Sequence, residues 1–210
     1  MSPIRKSIAV IALVAVLILF FVMEYIDRPL AQWMHEQFHG HSLFPMLTQI
    51  SDGVVQISSA CLFLMLIPAV FGWRPGPTAR AMIVAFSAVL IAVTIKEGLK
   101  VLFGRTWPET WVNGNPSFIH DHVYGFFLLH GGKGWMSFPS GHTTVIAAFS
   151  AASWKSFPRL RWVGVVMGVL VVVGLIGADF HWLSDCIAGA ILGTFIGHGW
   201  AVLLTHQKTA

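Results

Sequence analysis

Charged side chains are scarce in this sequence: 10% of its 210 residues are Asp, Glu, Lys or Arg, where a soluble domain carries about a quarter. Together with 56% hydrophobic residues and a mean hydropathy of +0.73, that scarcity excludes an ordinary soluble globule. Cysteine is equally sparse. Cys61 and Cys186 each sit inside an apolar stretch, so there is no disulfide framework to staple a small secreted fold, and both read as packing residues. Long polar stretches, internal repeats and low-complexity tracts are missing too, so residues 1–210 read as a single membrane domain. A basic face is also lacking. The net charge is +4 and the pI near 9.4, but Lys and Arg fall in short clusters between apolar runs, the pattern of membrane anchoring and not of nucleic-acid binding.

What the sequence does have is apolar runs, at 8–23, 54–71, 81–99, 143–154, 162–178 and 183–204, most of them near the ~20 residues a helix needs to cross a bilayer. The first follows Arg5 and Lys6 as in a signal peptide but lacks a small-residue cleavage site, so it reads as an uncleaved first helix. The fourth is short and is expected to begin at or before Ser140. Residues 24–52 mix Asp27, Pro29, Glu36, His35, His39 and His41 with aromatic side chains. That composition predicts a short amphipathic helix at the interface, with its histidines interfacial and not metal-binding. Gly and Pro punctuate the connections, and the segment 104–139 is the one sizeable loop. Trp107, Trp111 and Trp135 read as anchors of that loop in the interface.

The expected fold class is therefore an all-α membrane protein, a bundle of six transmembrane helices with an interfacial helix after the first span and a long loop between spans 3 and 4. If six helices alternate, the basic clusters at Arg5/Lys6, Arg74/Arg80, Lys155/Arg159/Arg161 and Lys208 all fall on one side. The positive-inside rule makes that side, and both termini, cytoplasmic. The long loop and the turn near His181 then face outward, into the periplasm of a bacterial inner membrane.

Polar groups kept at the ends of apolar helices are costly and so informative. Three clusters fall on that outer side. The first is Lys96, Glu97, Lys100 and Arg105, with the two lysines on one helix face. The second is Phe138-Pro139-Ser140-Gly141-His142, a loop entering a helix with Ser140 at the cap; the free N–H groups of Ser140, Gly141 and His142 make an anion site. The third is His181 with Asp185 four residues on, where the carboxylate fixes the ring tautomer and leaves the other nitrogen free as a nucleophile. Each alone also fits a structural role: snorkelling lysines, a capped helix, a helix-start pair. Together they supply the parts of a phosphoryl transfer. No Asp/Glu/His grouping is spaced as a metal cage, which implies metal-free chemistry and no cofactor.

Lys100, Gly104-Arg105, Trp107-Pro108, Phe138-Pro139-Ser140-Gly141-His142, His181 and Asp185 resemble, in order and spacing, the membrane-bound type 2 phosphatidic acid phosphatase superfamily. The likeness covers roughly the last two-thirds of the chain. It implies that His181 is the nucleophile forming a phosphohistidine, Asp185 its orienting partner and His142 the acid that protonates the leaving lipid oxygen. It also implies that Lys100, Ser140 and Gly141 bind the phosphate. Two positions depart from the pattern: Trp107 and Leu175 stand where the family has arginines. Arg105 is expected to fold over the phosphate in compensation, with His120, His122, His130 or Lys133 of the loop supplying the rest. The implied activity is hydrolysis of a lipid phosphate or pyrophosphate, such as undecaprenyl pyrophosphate or a phospholipid. The alternatives are phosphotransfer to another lipid such as lipid A, or a non-catalytic lipid carrier. Membrane lipids are the expected surroundings, and the oligomeric state is open.

Overall fold

A computed structural model of the chain describes residues 3–111 and 114–206, except the side chains of 3–6, 8, 205 and 206. The side chains of Arg5 and Lys6, and all of Lys208, lie outside the described residues. The fold is all-helical: α1 (Pro3–Tyr25), α2 (Asp27–Phe38), α3 (Leu43–Val70), α4 (Pro77–Phe103), the single turn α5 (Phe118–Asp121), α6 (Gly141–Ser153), α7 (Arg161–Gly177) and α8 (Leu183–His206). Among the described residues, α3, α4, α7 with the turn before it, and α8 are long and apolar enough to cross a membrane. A fifth candidate forms if α1 and α2, bent by 51° at their junction, count as one span.

Two predicted boundaries move for one physical reason. Helix α3 begins at Leu43 and not at residue 54, and α4 runs on to Phe103 beyond residue 99. Hydropathy stops short because Ser51, Asp52 and Gln56 of α3 and Lys96 and Lys100 of α4 face a polar cavity while their helices continue. The fourth predicted span, by contrast, is only 13 residues long as α6, a rise of about 20 Å. It is wrapped by α8 and α4 and is the most enclosed helix of the bundle.

The surface fits lipid better than water. Val10, Phe20, Phe63, Trp162 and Phe195 are all more than half exposed, far beyond what a soluble monomer tolerates, and this is a multi-pass membrane protein. The inside is held by Val54, Val89, Val145, Ile146, Val171, Leu175 and Cys186 where five helices meet. Close packing at α6 and α8 comes from a stripe on α8, Gly189, Gly193 and Gly197. A methyl group on any of these would strike the carbonyl of Ser140, Thr144 or Ala148 respectively. Small residues at this spacing let helix backbones touch in lipid, and here they bring the starts of α6 and α8 together.

Candidate active site

The end of the bundle where α4 stops and α6 and α8 begin encloses a cavity of about 640 Å³ whose walls include Lys96, Lys100, Trp107, Gly141, His142 and His181. Parts of all three sequence clusters therefore share one space. The rings of His142 and His181 lie 6.3 Å apart between centroids and nearly edge to face, at 71°, a spacing that lets one tetrahedral anion sit between them. Two other clefts, of about 390 and 720 Å³, are lined mostly by apolar residues and hold no comparable pair.

His181 is fixed from behind. Its Nδ1 lies 3.3 Å from Asp185 Oδ2 and 3.5 Å from Ser137 Oγ, and the Ser137 hydroxyl donates to the same carboxylate oxygen. Asp185 stands in the first turn of α8 and reaches back to the Trp182 N–H at 3.2 Å, the geometry of a capping box. With Nδ1 engaged as a donor, Nε2 is left as the free lone pair. Burial pushes the His181 imidazole below its ordinary range, against the pull of Asp185 and with the push of Lys100 and Arg105. The ring therefore stays neutral and nucleophilic at neutral pH.

Behind Asp185 lies a sealed polar layer that the sequence clusters do not foretell. Arg105, with no exposed surface, donates to Asp185 Oδ1 at 2.5 Å, Ser184 Oγ at 2.7 Å, Asp27 Oδ2 at 2.8 Å and Tyr124 Oη at 2.9 Å. Asp27, from the first turn of α2, also accepts the Ser184 N–H at 3.0 Å, and the Tyr124 hydroxyl donates to the Met23 carbonyl at 2.7 Å. The rings of Phe126, Tyr124 and Trp182 surround the guanidinium at 4.8 to 5.5 Å. Although burial opposes its charge, Asp185 and Asp27 hold the Arg105 pKa above its usual value. Two carboxylates against one guanidinium leave net negative charge behind His181, which favours positive charge developing on that ring.

At the start of α6, Ser140 caps the helix through its side chain, accepting from Thr143 N at 3.5 Å. Its own N–H is spent on the Asp185 carbonyl at 3.0 Å, a tie that locks α6 to α8. The donors that remain to the cavity are the first-turn N–H groups of Gly141 and His142, which have no carbonyl four residues back. Gly141 must stay small: an added Cβ would lie 2.9 to 3.0 Å from the end of the Lys96 side chain. Lys96 pairs with Glu97. Lys100 lies with its Nζ 5.5 Å from the Trp107 ring centre, and the same indole lies 5.0 Å from the His181 ring between centroids. His142 Nε2 lies 3.7 Å from Asp52 Oδ1.

The placement of each expected residue can now be stated. Lys100, Gly141, His142 and His181 line the cavity, and Asp185 stands directly behind it. Arg105 and Ser140 do not line it: both are fully buried, and the two terminal nitrogens of Arg105 and the Ser140 N–H are engaged in the layer beneath. The compensation expected of Arg105 is thus a correction, because two buried carboxylates claim its fork. None of the loop residues expected to help lines the cavity: His120 pairs with Glu109, His122 meets the Phe118 ring, His130 stacks on Trp135, and the Lys133 carbonyl accepts from the Trp107 indole at 2.8 Å. Trp107 and Trp111 line the cavity. Leu175 is core, and its carbonyl accepts the Phe180 and His181 N–H groups. Asp27, Asp52, Ser137, Ser184 and Tyr124 went unforeseen. Asp27, Asp52 and Tyr124 are single polar residues remote in sequence from the motifs, and Ser137 and Ser184, though beside or between motif residues, carry no periodic signal to mark their role.

Folding also gathers four residues that no sequence spacing groups. His35 of α2 and His39 at its C-cap, Glu109 of the loop and Asp179 of the turn before α8 place ligand-type atoms within 4.8 Å of one another. The histidines expected at the interface are thus held against Asp179, just beyond the end of α7, as α2 packs against that helix.

The profile of the PAP2 superfamily matches residues 80–209. The chain belongs to the PAP2 superfamily. It is 32% identical over 123 residues to a lipid A 1-phosphatase of Rhizobium etli, a stretch that is 57% of this chain and 47% of that relative. It is 30% identical over 166 residues to a putative undecaprenyl-diphosphatase, YbjG, of Escherichia coli K12, covering 72% of this chain and 76% of the relative. The chain thus spans about half the length of the lipid A phosphatase it matches. Among solved structures it resembles a transmembrane PAP2-type phosphatidylglycerolphosphate phosphatase from Bacillus subtilis, with a TM-score of 0.52, 17% identity and coverage of 94% and 96% of the two chains. That likeness establishes the PAP2 membrane fold.

Proposed function

We propose that this PAP2 protein hydrolyses a lipid phosphate or lipid pyrophosphate through a phosphohistidine on His181. The observation that carries the reading is the facing pair of imidazoles, His181 braced by Asp185 and His142 open to the same cavity. A phosphoryl group between them has the N–H groups of Gly141 and His142 and the ammonium groups of Lys96 and Lys100 to hold its oxygens, a distribution that stabilises the added negative charge of the transition state.

The steps follow from the geometry. His181 Nε2 attacks phosphorus, the bond to the leaving lipid oxygen breaks, and protonated His142 gives that oxygen its proton. His142, now neutral, takes a proton from an incoming water as that water attacks the phosphohistidine. Phosphate leaves, His181 regains its lone pair and His142 is protonated again. Histidine, lysine and backbone N–H groups perform each task, so the reading needs no metal at phosphorus. Arg105 and Ser140 serve as positioning residues for Asp185 and for the α6 start.

In the membrane, six spans with the cavity on the periplasmic side of a bacterial inner membrane fit the basic clusters at Arg74/Arg80 and Lys155/Arg159/Arg161, which lie at the end of the bundle away from the cavity. The head group then enters from outside while the apolar tail stays in lipid. Four classes of substrate name recur among the relatives and the solved neighbour: lipid A phosphates, undecaprenyl diphosphate, lipid phosphates and phosphatidylglycerolphosphate. A phosphate-release screen over these lipids, with wild type and His181→Ala side by side, tests the reading. Release by the wild type alone, without an acceptor lipid, supports hydrolysis; release only with an acceptor indicates phosphotransfer, and equal release by both proteins contradicts the reading.

A further inference from the structure

The turn that carries His181 also carries Asp179, which does not line the cavity and joins a second polar cluster. Asp179, two residues earlier and 2% exposed, places Oδ2 2.9 Å from His35 Nδ1 and 3.4 Å from His39 Nδ1. His35 stands in the last turn of α2 and His39 caps its end, and their rings lie 4.3 Å apart. Glu109, 4% exposed, brings Oε2 to 3.4 Å from His35 Nδ1. Two carboxylates are thus buried beside each other against two imidazoles.

Two observations point from this cluster to a cation. Glu109 Oε2 and Asp179 Oδ1 are buried and have no hydrogen-bond partner, an arrangement that costs free energy unless something positive satisfies them. The second is spacing. Ligands at ~2.0–2.1 Å around a tetrahedral zinc stand about 3.4 Å from each other; three of the six separations here are 2.9, 3.4 and 3.4 Å, and all six lie within 4.8 Å. An outer layer already orients the donors: Glu109 Oε1 accepts from Thr110 N and lies 2.6 Å from His120 Nε2, and the Trp111 indole donates to the Asp179 carbonyl at 3.2 Å. Such supporting contacts are what hold ligands at metal sites.

We propose that His35, His39, Glu109 and Asp179 bind one divalent transition-metal ion, with zinc the best match to two imidazoles and two carboxylates. Magnesium and calcium, which prefer all-oxygen shells, fit this donor set poorly. His39 is 54% exposed at its side chain and gives the ion a way in. The four ligands come from α2, from the loop after α4 and from the turn before α8. The ion therefore clamps three separate parts of the chain and steadies the turn on which His181 stands.

The test is metal content and affinity of the purified full chain, its affinity tag removed, equilibrated with zinc chloride and measured by elemental mass spectrometry. Wild type is expected to hold one zinc per chain, and both His35→Ala/His39→Ala and the near-isosteric Glu109→Gln to bind at least ~10–100-fold more weakly. Zinc should raise the melting temperature of wild type and not of either variant, whereas magnesium should leave all three unchanged. His181→Ala, which tests the phosphatase reading, should keep its zinc. Substoichiometric zinc in wild type, wild-type affinity in both variants, or loss of zinc from His181→Ala would each overturn the site.

Discussion

Lys100 and Arg105 stand five residues apart, both cationic and both expected at the phosphate, yet the first lines the cavity and the second is sealed beneath it. The difference begins at Gly104, whose left-handed backbone (φ 55) ends α4 and turns the chain inward. Lys100 then stays on the helix face toward the cavity, while Arg105 enters a ring of Phe126, Tyr124 and Trp182 and meets two carboxylates. A single compact ammonium can reach open space from the helix end. A planar fork that satisfies two buried carboxylates at once is worth more behind His181 than in front of it. The wall and the layer behind it should therefore fail differently when altered, the wall in catalysis and the layer in folding.

The largest effect is expected at the junction of the two. Asp185→Asn keeps the shape but removes the charge that fixes the His181 tautomer, and should lower kcat by on the order of 10⁴-fold in a lipid-phosphate assay. A loss below tenfold would break the division between wall and layer. Next is Arg105→Ala, which leaves Asp27 and Asp185 buried without their counter-charge and should cost roughly 3–5 kcal/mol of stability. Thermal melts in detergent check this; a stable protein with a raised KM would instead put Arg105 at the phosphate. Lys100→Ala should do the reverse, leaving the melt in place while kcat/KM falls about 10- to 150-fold, the worth of one charge-assisted contact of ~1.5–3 kcal/mol. The smallest change is Asp52→Asn: its carboxylate is 58% exposed and 3.7 Å from His142, so a change in rate worth less than ~1 kcal/mol is expected.

The pH profile sharpens the same contrast. Burial lowers the His181 pKa, so its lone pair remains free as pH falls through the ordinary histidine range near ~6.5 and is lost only below it. The acid limb of kcat/KM assigned to this ring should therefore lie under that value. A limb above it would mean that the carboxylate behind the ring outweighs burial.

Much of this was legible in the chain, and the reasons differ from residue to residue. His181 and Asp185 are one helical turn apart and Ser140 precedes an apolar run, so local spacing alone foretells their contact and the α6 cap. Four of the predicted runs are recovered as membrane-length helices, because hydropathy is a property of continuous segments. The helix ends at Leu43 and Phe103 escaped, since polar residues facing a cavity look like loop in a linear reading. Asp27, Tyr124 and the group of His35, His39, Glu109 and Asp179 escaped for a deeper reason: their partners lie far away along the chain, and only packing of α2 against the later helices brings them together. Trp107 illustrates the limit of motif comparison. In place of an arginine stands an indole that touches both Lys100 and His181, so the position keeps a place at the cavity with a different chemistry.

The central claim is that His181 carries the phosphoryl group while His142 handles the proton. Rapid denaturing quench of the enzyme turning over a phosphorus-32-labelled lipid phosphate, followed by peptide mapping under alkaline conditions that preserve phosphohistidine, tests it directly. The account predicts label on the peptide containing His181, absent in His181→Ala and accumulating in His142→Ala when the leaving group needs no protonation. Label on His142, or full turnover by the His181→Ala protein, would contradict it.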